Sequence, residues 1–210
     1  MRFLVGVLFG ILATGAAVWA YLATGMFDPA ASSPTGKMET RVANFALNQS
    51  VAKRAPSKKN PFSGTPDVLK AGLEHYKENC VVCHGAPGVD SGEIGQGLNP
   101  PAPELTLPRI QKRPDGELFW IVSNGIRMTG MPAFKPTHKP EEVWKIVAFV
   151  RHLEEITPEE QKVLKAETEE AEHHHEGGSE EKAEAKPEES PPAAATPGHT
   201  HPPGTKPHKH

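Results

Sequence analysis

Two cysteines and one histidine stand close together near the middle of the chain, in the segment Cys80-Val81-Val82-Cys83-His84. Two thiols at this spacing can each form a thioether with one vinyl group of a haem, and the adjacent histidine can then bind the iron from one face. The pattern CxxCH is a haem-attachment signal. The motif therefore predicts that the chain folds around one covalently bound haem c.

Three other uses of these cysteines fit the sequence less well. A redox CxxC of the thioredoxin type would follow a strand in a βαβ pattern, which this chain lacks. A zinc site would need two further ligands at a suitable spacing, and only distant histidines are available. A disulfide between Cys80 and Cys83 would be strained. With two cysteines in all, the chain also cannot build a disulfide-rich scaffold.

A haem iron in an electron carrier needs a sixth ligand, and a methionine opposite a histidine raises the reduction potential. Met131 lies between Gly130, which lets the backbone approach the ring, and Pro132, which stiffens the loop. Met128 has neither neighbour. We therefore predict His84 and Met131 as the two axial ligands. The rival ligands are histidines that we expect on solvated helix surfaces, namely His75, His138 and His152.

The N-terminus carries an uncharged run of 25 positions between Arg2 and Asp28. As a helix this run would be about 37 Å long, which is enough to cross a bilayer. A signal peptide has a shorter apolar core, and Val18-Trp19-Ala20 matches its cleavage site only in part. We predict that residues 1–27 are a transmembrane anchor or signal, and we favour an uncleaved anchor.

Helical periodicity predicts an all-α domain over residues 65–156, after a linker over 28–64. Three helices are expected in the domain, over 66–79, 115–124 and 140–154, with mostly loop over 85–115. Within the linker, residues 38–54 suit one amphipathic helix with Val42, Phe45 and Leu47 as its apolar residues. The domain is close to neutral, which argues against a nucleic-acid partner.

Residues 157–210 form a polar, histidine-rich segment that we expect to be mostly disordered. It starts with a capping-box pattern, Thr157-Pro-Glu-Glu160, before a polar helix of about three turns. Beyond about residue 172 the composition cannot bury enough apolar surface to fold. Its histidines suit either metal binding or a merely solubilising tail, and we favour the second: His173, His174, His175, His199, His201, His208 and His210.

The domain resembles a class I cytochrome c, and its GMPAF segment is similar to that of monohaem domains of the cbb3-oxidase type. The residues that carry the resemblance are Leu73, Tyr76, Cys80, Cys83, His84, Gly85, Pro100, Pro101, Gly130–Phe134, Val143, Trp144, Phe149 and Val150. It covers residues 66–155, but neither the anchor nor the tail. It implies that Gly72 and Tyr76 meet Trp144 and Phe149 where the first and last helices cross. It also implies that a carbonyl within residues 99–101 accepts the ring N–H of His84.

The resemblance implies electron transfer by haem c, without chemical change of a substrate, so that the chain itself is no enzyme. A peroxidase would need an open iron site, which Met131 argues against. Haem is attached outside the cytoplasm, so we expect a single-pass inner-membrane protein with its haem domain in the periplasm. The alternative is a subunit of a respiratory oxidase, a quinol-oxidising complex or a dehydrogenase. We expect redox protein partners at a basic rim formed by Arg127, Lys135 and Lys139.

Overall fold

The computed structural model describes residues 2–62 and 64–176, with side chains up to residue 169. These residues form nine α-helices, one 3-10 turn and no strand, which confirms the all-α fold. In chain order the helices are α1 (Arg2–Ala23), α2 (Lys37–Arg54), α3 (Pro66–Asn79), α4 (Val81–His84), α5 (Glu93–Gln96), α6 (Pro108–Gln111), α7 (Asp115–Asn124), α8 (Pro140–His152) and α9 (Pro158–Glu176); the 3-10 turn is Leu153–Glu155. The histidine-rich tail beyond residue 176 lies outside the described residues, as do the side chains of His173, His174 and His175.

Helix α1 has no charged residue after Arg2 and buries none of its side chains. Its 22 residues make it about 33 Å long. In the described part of the chain it is the one helix that is long and apolar enough to cross a membrane, judged by length and composition.

The core forms where α3 crosses α8. A side chain at Gly72 would place its Cβ 2.4 Å from the carbonyl oxygen of Lys145, so only glycine allows the two helices to come this close. One turn further, the rings of Tyr76 and Phe149 lie 5.3 Å apart. The predicted meeting of Gly72 and Tyr76 with Phe149 is therefore found, whereas Trp144 stacks on Phe119 of α7 at 4.3 Å.

The segment that precedes α3 is packed on the domain. Val51 of α2 is fully buried. The backbone N–H of Asn60 donates to the carboxylate of Asp115 at 3.0 Å, and the side-chain amide of Asn60 donates to the Trp144 carbonyl at 2.8 Å. Part of the predicted linker is thus held against the starts of α7 and α8.

Helix α2 is found where it was predicted, but its apolar residues do not form one face. Leu47 is half-buried on the side of Val51, whereas Val42 and Phe45 are exposed. The expectation of a single apolar stripe over these residues was wrong, because the helix presents apolar residues on two sides.

Helix α9 starts with the predicted capping box. The N–H of Thr157 donates to the Glu160 carboxylate at 2.8 Å, and the N–H of Glu160 donates to the Thr157 hydroxyl at 3.3 Å. The helix has 19 residues, longer than the three turns expected, and Leu164 is fully buried in the core. The packed unit therefore extends beyond residue 156, because this one leucine fits against α3 and α4.

Candidate functional site: a CxxCH turn and a methionine loop

The CxxCH segment forms a single helical turn directly after α3. The N–H of Cys80 donates to the Tyr76 carbonyl at 2.9 Å, and the N–H of His84 donates to the Cys80 carbonyl at 2.9 Å. Residues three and four positions apart share one side of a helix, so Cys80, Cys83 and His84 lie on the same side. One macrocycle can therefore meet both sulfurs and the imidazole together.

Cys80 and Cys83 are not joined to each other in a disulfide. Burial raises the pKa of Cys80 to about 12, with a smaller contribution from neighbouring Cys83. Burial also raises the pKa of Cys83. No group of three or more acidic, histidine or cysteine residues suited to a metal ion occurs in the described part of the chain. The described residues therefore offer no ligand set that would complete a zinc site with the two cysteines.

The imidazole of His84 is oriented by one hydrogen bond. Its Nδ1 lies 2.9 Å from the carbonyl oxygen of Pro103. Because a carbonyl can only accept, Nδ1 carries the proton and the lone pair of Nε2 is left for a metal. Burial lowers the pKa of His84, against the opposing effect of this bond, so the neutral, ligating form is favoured.

The carbonyl partner of His84 was predicted within residues 99–101, and that prediction was wrong. The side-chain amide of Asn99 donates to the carbonyls of Ala31 and Ser33 at 2.9 and 2.6 Å. These bonds hold the start of the proline-rich segment against residues 31–33, which follow α1. The carbonyl that reaches the imidazole comes later in the chain, from Pro103.

Helix α5 supports the CxxCH turn from the side. A Cβ at Gly95 would lie 2.7 Å from the Val82 carbonyl oxygen and 2.9 Å from the Cα of Cys83. The N–H of Gly92 donates to the same Val82 carbonyl at 3.0 Å. Backbone thus packs directly on backbone, a contact that no sequence motif had indicated.

The loop that follows α7 holds the two candidate methionines in different surroundings. Met128 is 91% exposed and has a positive φ of 60°. Met131 is half-buried, its N–H donates a hydrogen bond to the Thr129 hydroxyl at 3.1 Å, and its carbonyl accepts one from the N–H of Ile126 at 3.2 Å. Of the two side chains, that of Met131 packs partly against the protein, whereas that of Met128 extends into solvent.

The methionine loop and the CxxCH turn are connected through Leu98. A Cβ at Gly130 would lie 2.4 Å from a methyl carbon of Leu98, which follows α5 closely in the chain. Since α5 packs on the CxxCH turn, one continuous set of contacts joins His84 to the residue before Met131. The backbone at Gly130 thus lies against the end of the Leu98 side chain, and the approach of this glycine to a haem ring stays a prediction.

The residues present fit a haem. Apolar side chains on the elements around the motif and the loop are only partly buried by protein: Leu98, Leu105, Ile110, Phe119, Val122 and Met131. Two thiols and a neutral imidazole on one helix side would supply the attachment points of a covalent haem, and partly exposed apolar side chains suit contact with its ring.

This all-α domain with its CxxCH turn is a c-type cytochrome domain. Residues 67–150 match the family model of cytochrome c oxidase, cbb3-type, subunit III. The domain therefore binds haem c covalently and acts as an electron carrier.

Two curated proteins resemble the chain. The quinohemoprotein alcohol dehydrogenase ADH IIB of Pseudomonas putida is 27% identical over 140 residues, which are 63% of this chain and 19% of that protein. The 1-butanol dehydrogenase (cytochrome c) of Thauera butanivorans is 34% identical over 85 residues, 40% of this chain and 11% of that protein. The chain thus spans less than a fifth of the length of either relative.

Proposed function

We propose that this chain is a membrane-anchored electron carrier with one haem at the periplasmic face of the inner membrane. Cys80 and Cys83 would form the two thioethers, and His84 and Met131 would be the axial ligands. The observation that carries the proposal is the His84–Pro103 hydrogen bond on a turn that also presents both thiols. Bound haem supplies one-electron chemistry between ferrous and ferric iron.

The residues of the chain have separate tasks in this proposal. Pro103 holds the imidazole in the tautomer that leaves Nε2 free, as the outer partners of metal-bound histidines commonly do. The loop around Met131 presents a thioether sulfur, which favours a high potential. With both axial positions filled by protein, no position at the iron would remain for a substrate, as expected of a carrier rather than an enzyme.

A second candidate function is that of an electron-accepting partner or subunit of an alcohol-oxidising dehydrogenase. Its support is the similarity to two dehydrogenases named as a quinohemoprotein and as a cytochrome c enzyme. The chain would then receive electrons from a separate catalytic protein. Reduction of the purified cytochrome by a quinoprotein alcohol dehydrogenase with alcohol present, but not without it, is the expected result. Equal rates with and without alcohol would contradict it.

Haem staining after denaturing electrophoresis tests the attachment. The wild-type chain should keep the stain on its band, whereas Cys80→Ala together with Cys83→Ala should lose it. Val82→Ala leaves both thiols in place and serves as the control that should stain like the wild type. Loss of the stain from the wild-type band would contradict covalent attachment.

N-terminal sequencing of the membrane-purified protein tests the anchor. A start at or near Met1 is expected if α1 is retained in the bilayer. A start close to Tyr21 would show that the helix is a cleaved signal, and the haem domain would then be released from the membrane.

A further inference from the structure

Helix α2 carries an apolar stripe that no part of the described structure covers. Met38, Val42 and Phe45 are 71%, 59% and 67% exposed. They are spaced four and three residues apart, so they lie on one side of the helix within about 60° of arc. Leu47 and Val51, which face the domain, lie roughly opposite to them.

The two halves of α2 have different surroundings. In its C-terminal half, Val51 is fully buried, and the Asn48 side chain accepts a hydrogen bond from Arg113. The exposed stripe occupies the N-terminal half, which is nearer in sequence to α1. One end of the helix is therefore fixed to the cytochrome domain, and the other presents apolar side chains away from it.

Basic side chains lie along one side of the stripe. At about 100° per residue, Lys37 and Arg41 lie on that side and Glu39 on the other, while Lys53 follows about two turns beyond Phe45. Between residues 37 and 59 the chain has six basic residues and one acidic residue, Glu39, so its net charge is +5. An apolar stripe on a helix of strong positive charge is typical of helices that lie in a membrane interface, with their charged ends at the headgroups.

The connection to α1 is short and folded. It spans residues 24–36, and the carboxylate of Asp28 accepts hydrogen bonds from the backbone of Ala30, at 2.9 Å, and from the Ser33 hydroxyl. Exposed Met26 and Phe27 extend the apolar surface past the end of α1. Helix α2 therefore begins close to the point where the chain would leave the bilayer.

We propose that the N-terminal half of α2 lies in the surface of an anionic membrane, with Met38, Val42 and Phe45 among the upper acyl chains. This inference rests on the proposed retention of α1 as an anchor. Lipid is the occupant because the net positive charge of residues 37–59 complements anionic headgroups and the stripe continues from the anchor. Since the other side of α2 is fixed to α7, the helix would also hold the cytochrome domain at a defined distance from the bilayer.

Spin-label depth measurements on the full-length holoprotein test the proposal. The native thiols are consumed by the haem, so Val42→Cys or Phe45→Cys adds one site for a nitroxide. Asn44→Cys, exposed but roughly 200° around the helix from Val42, is the matched control. The parent protein, treated with the same label, should take up none.

The labelled proteins are reconstituted in nanodiscs of phosphatidylcholine with or without phosphatidylglycerol. Labels at 42 and 45 should be more accessible to oxygen than to a water-soluble nickel complex, and more so with the anionic lipid, whereas the label at 44 should show the reverse. Equal water accessibility at all three positions would overturn the proposal. Dipolar broadening between labels, which would reveal a second copy of the chain, would also overturn it. Immobilisation of the label only in the presence of a co-purified protein would do the same. Sequencing the N-terminus of the same samples separates a failure of the anchor from a failure of this inference.

Discussion

The hydroxyl of Tyr76 donates a 2.6 Å hydrogen bond to the carbonyl oxygen of Gly85, the residue that follows His84. The bond connects the last turn of α3 to the end of the CxxCH turn. Gly85 is buried and has a φ of 57°, and a Cβ there would lie 2.5 Å from the Val89 carbonyl oxygen. Burial raises the pKa of Tyr76, so its hydroxyl remains a donor at physiological pH.

Replacing Tyr76 by phenylalanine should destabilise the domain by about 1–3 kcal/mol, because the Gly85 carbonyl would lose its donor while it stays buried. The change is measured as a lower free energy of unfolding in guanidinium chloride. The other tyrosine of the chain offers a matched control: Tyr21→Phe in α1 should leave the free energy of unfolding of the haem domain unchanged. If the two variants unfold alike, the hydrogen bond has no such role.

Two glycines close together in sequence should respond in opposite ways to substitution by alanine. At Gly95 the new methyl group would collide with the backbone of Val82 and Cys83, at a cost of about 1–3 kcal/mol. At Gly97 the nearest atom would be 3.6 Å away, and φ is −80°, so alanine should be neutral or stabilise by up to about 1 kcal/mol. Thermal unfolding of the two holoproteins measures the contrast, and equal midpoints would contradict the packing of α5 on the CxxCH turn.

The docking of α9 should weaken in acid. Burial tends to raise the pKa of Glu160, but hydrogen bonds from Thr157 and His152 outweigh it, so the pKa is lowered. A carboxyl whose pKa is lower in the folded state stabilises the fold above its ordinary pKa of about 4.3, and that stabilisation is lost as the pH falls through the lowered value. The protection factors for hydrogen exchange in α9 should therefore fall below about pH 4.

A substitution tests the same carboxylate at neutral pH. Glu160→Gln should weaken the start of α9 by about 1 kcal/mol, the usual contribution of a helix cap. Glu159→Gln changes an exposed neighbour and should leave the exchange of α9 as it is in the wild type. Protection of α9 that is unaffected both by Glu160→Gln and by acid would show that the cap does not hold this helix.

The basic side chains near the methionine loop should govern encounters with anionic redox partners. Arg127, Lys135 and Lys139 are all exposed. Oxidation of the reduced protein by ferricyanide should slow as salt is added, because screening weakens the attraction of the anion. Lys135→Glu should slow the reaction several-fold at low salt, whereas Lys162→Glu, at an exposed position of α9, should change it little. A rate independent of both salt and Lys135 would contradict a basic rim.

The helices and the attachment motif could be predicted from the sequence because both are local patterns. Helix α7 begins at Asp115 and ends before Gly125 as its periodicity and stop signal indicated. The partner of His84 could not be predicted, since a backbone carbonyl in a proline-rich loop carries no side-chain signature. Leu164 was missed because a single buried apolar residue in a polar helix leaves no periodic pattern. From sequence alone, the apolar residues of α2 predict one amphipathic helix. Packing on the domain decides which of them are covered, namely Leu47 and Val51, and which stay exposed, namely Val42 and Phe45.

The central claim is that a carrier-type iron site is closed by His84 and Met131, and the near-infrared spectrum of the ferric protein tests it most directly. A weak sulfur-to-iron band should be present in the wild type and in Met128→Ala, whose side chain is 91% exposed in the native chain. Met131→Ala should abolish the band, lower the reduction potential and let exogenous ligands bind the iron. A band that survives in Met131→Ala and disappears in Met128→Ala would contradict the account.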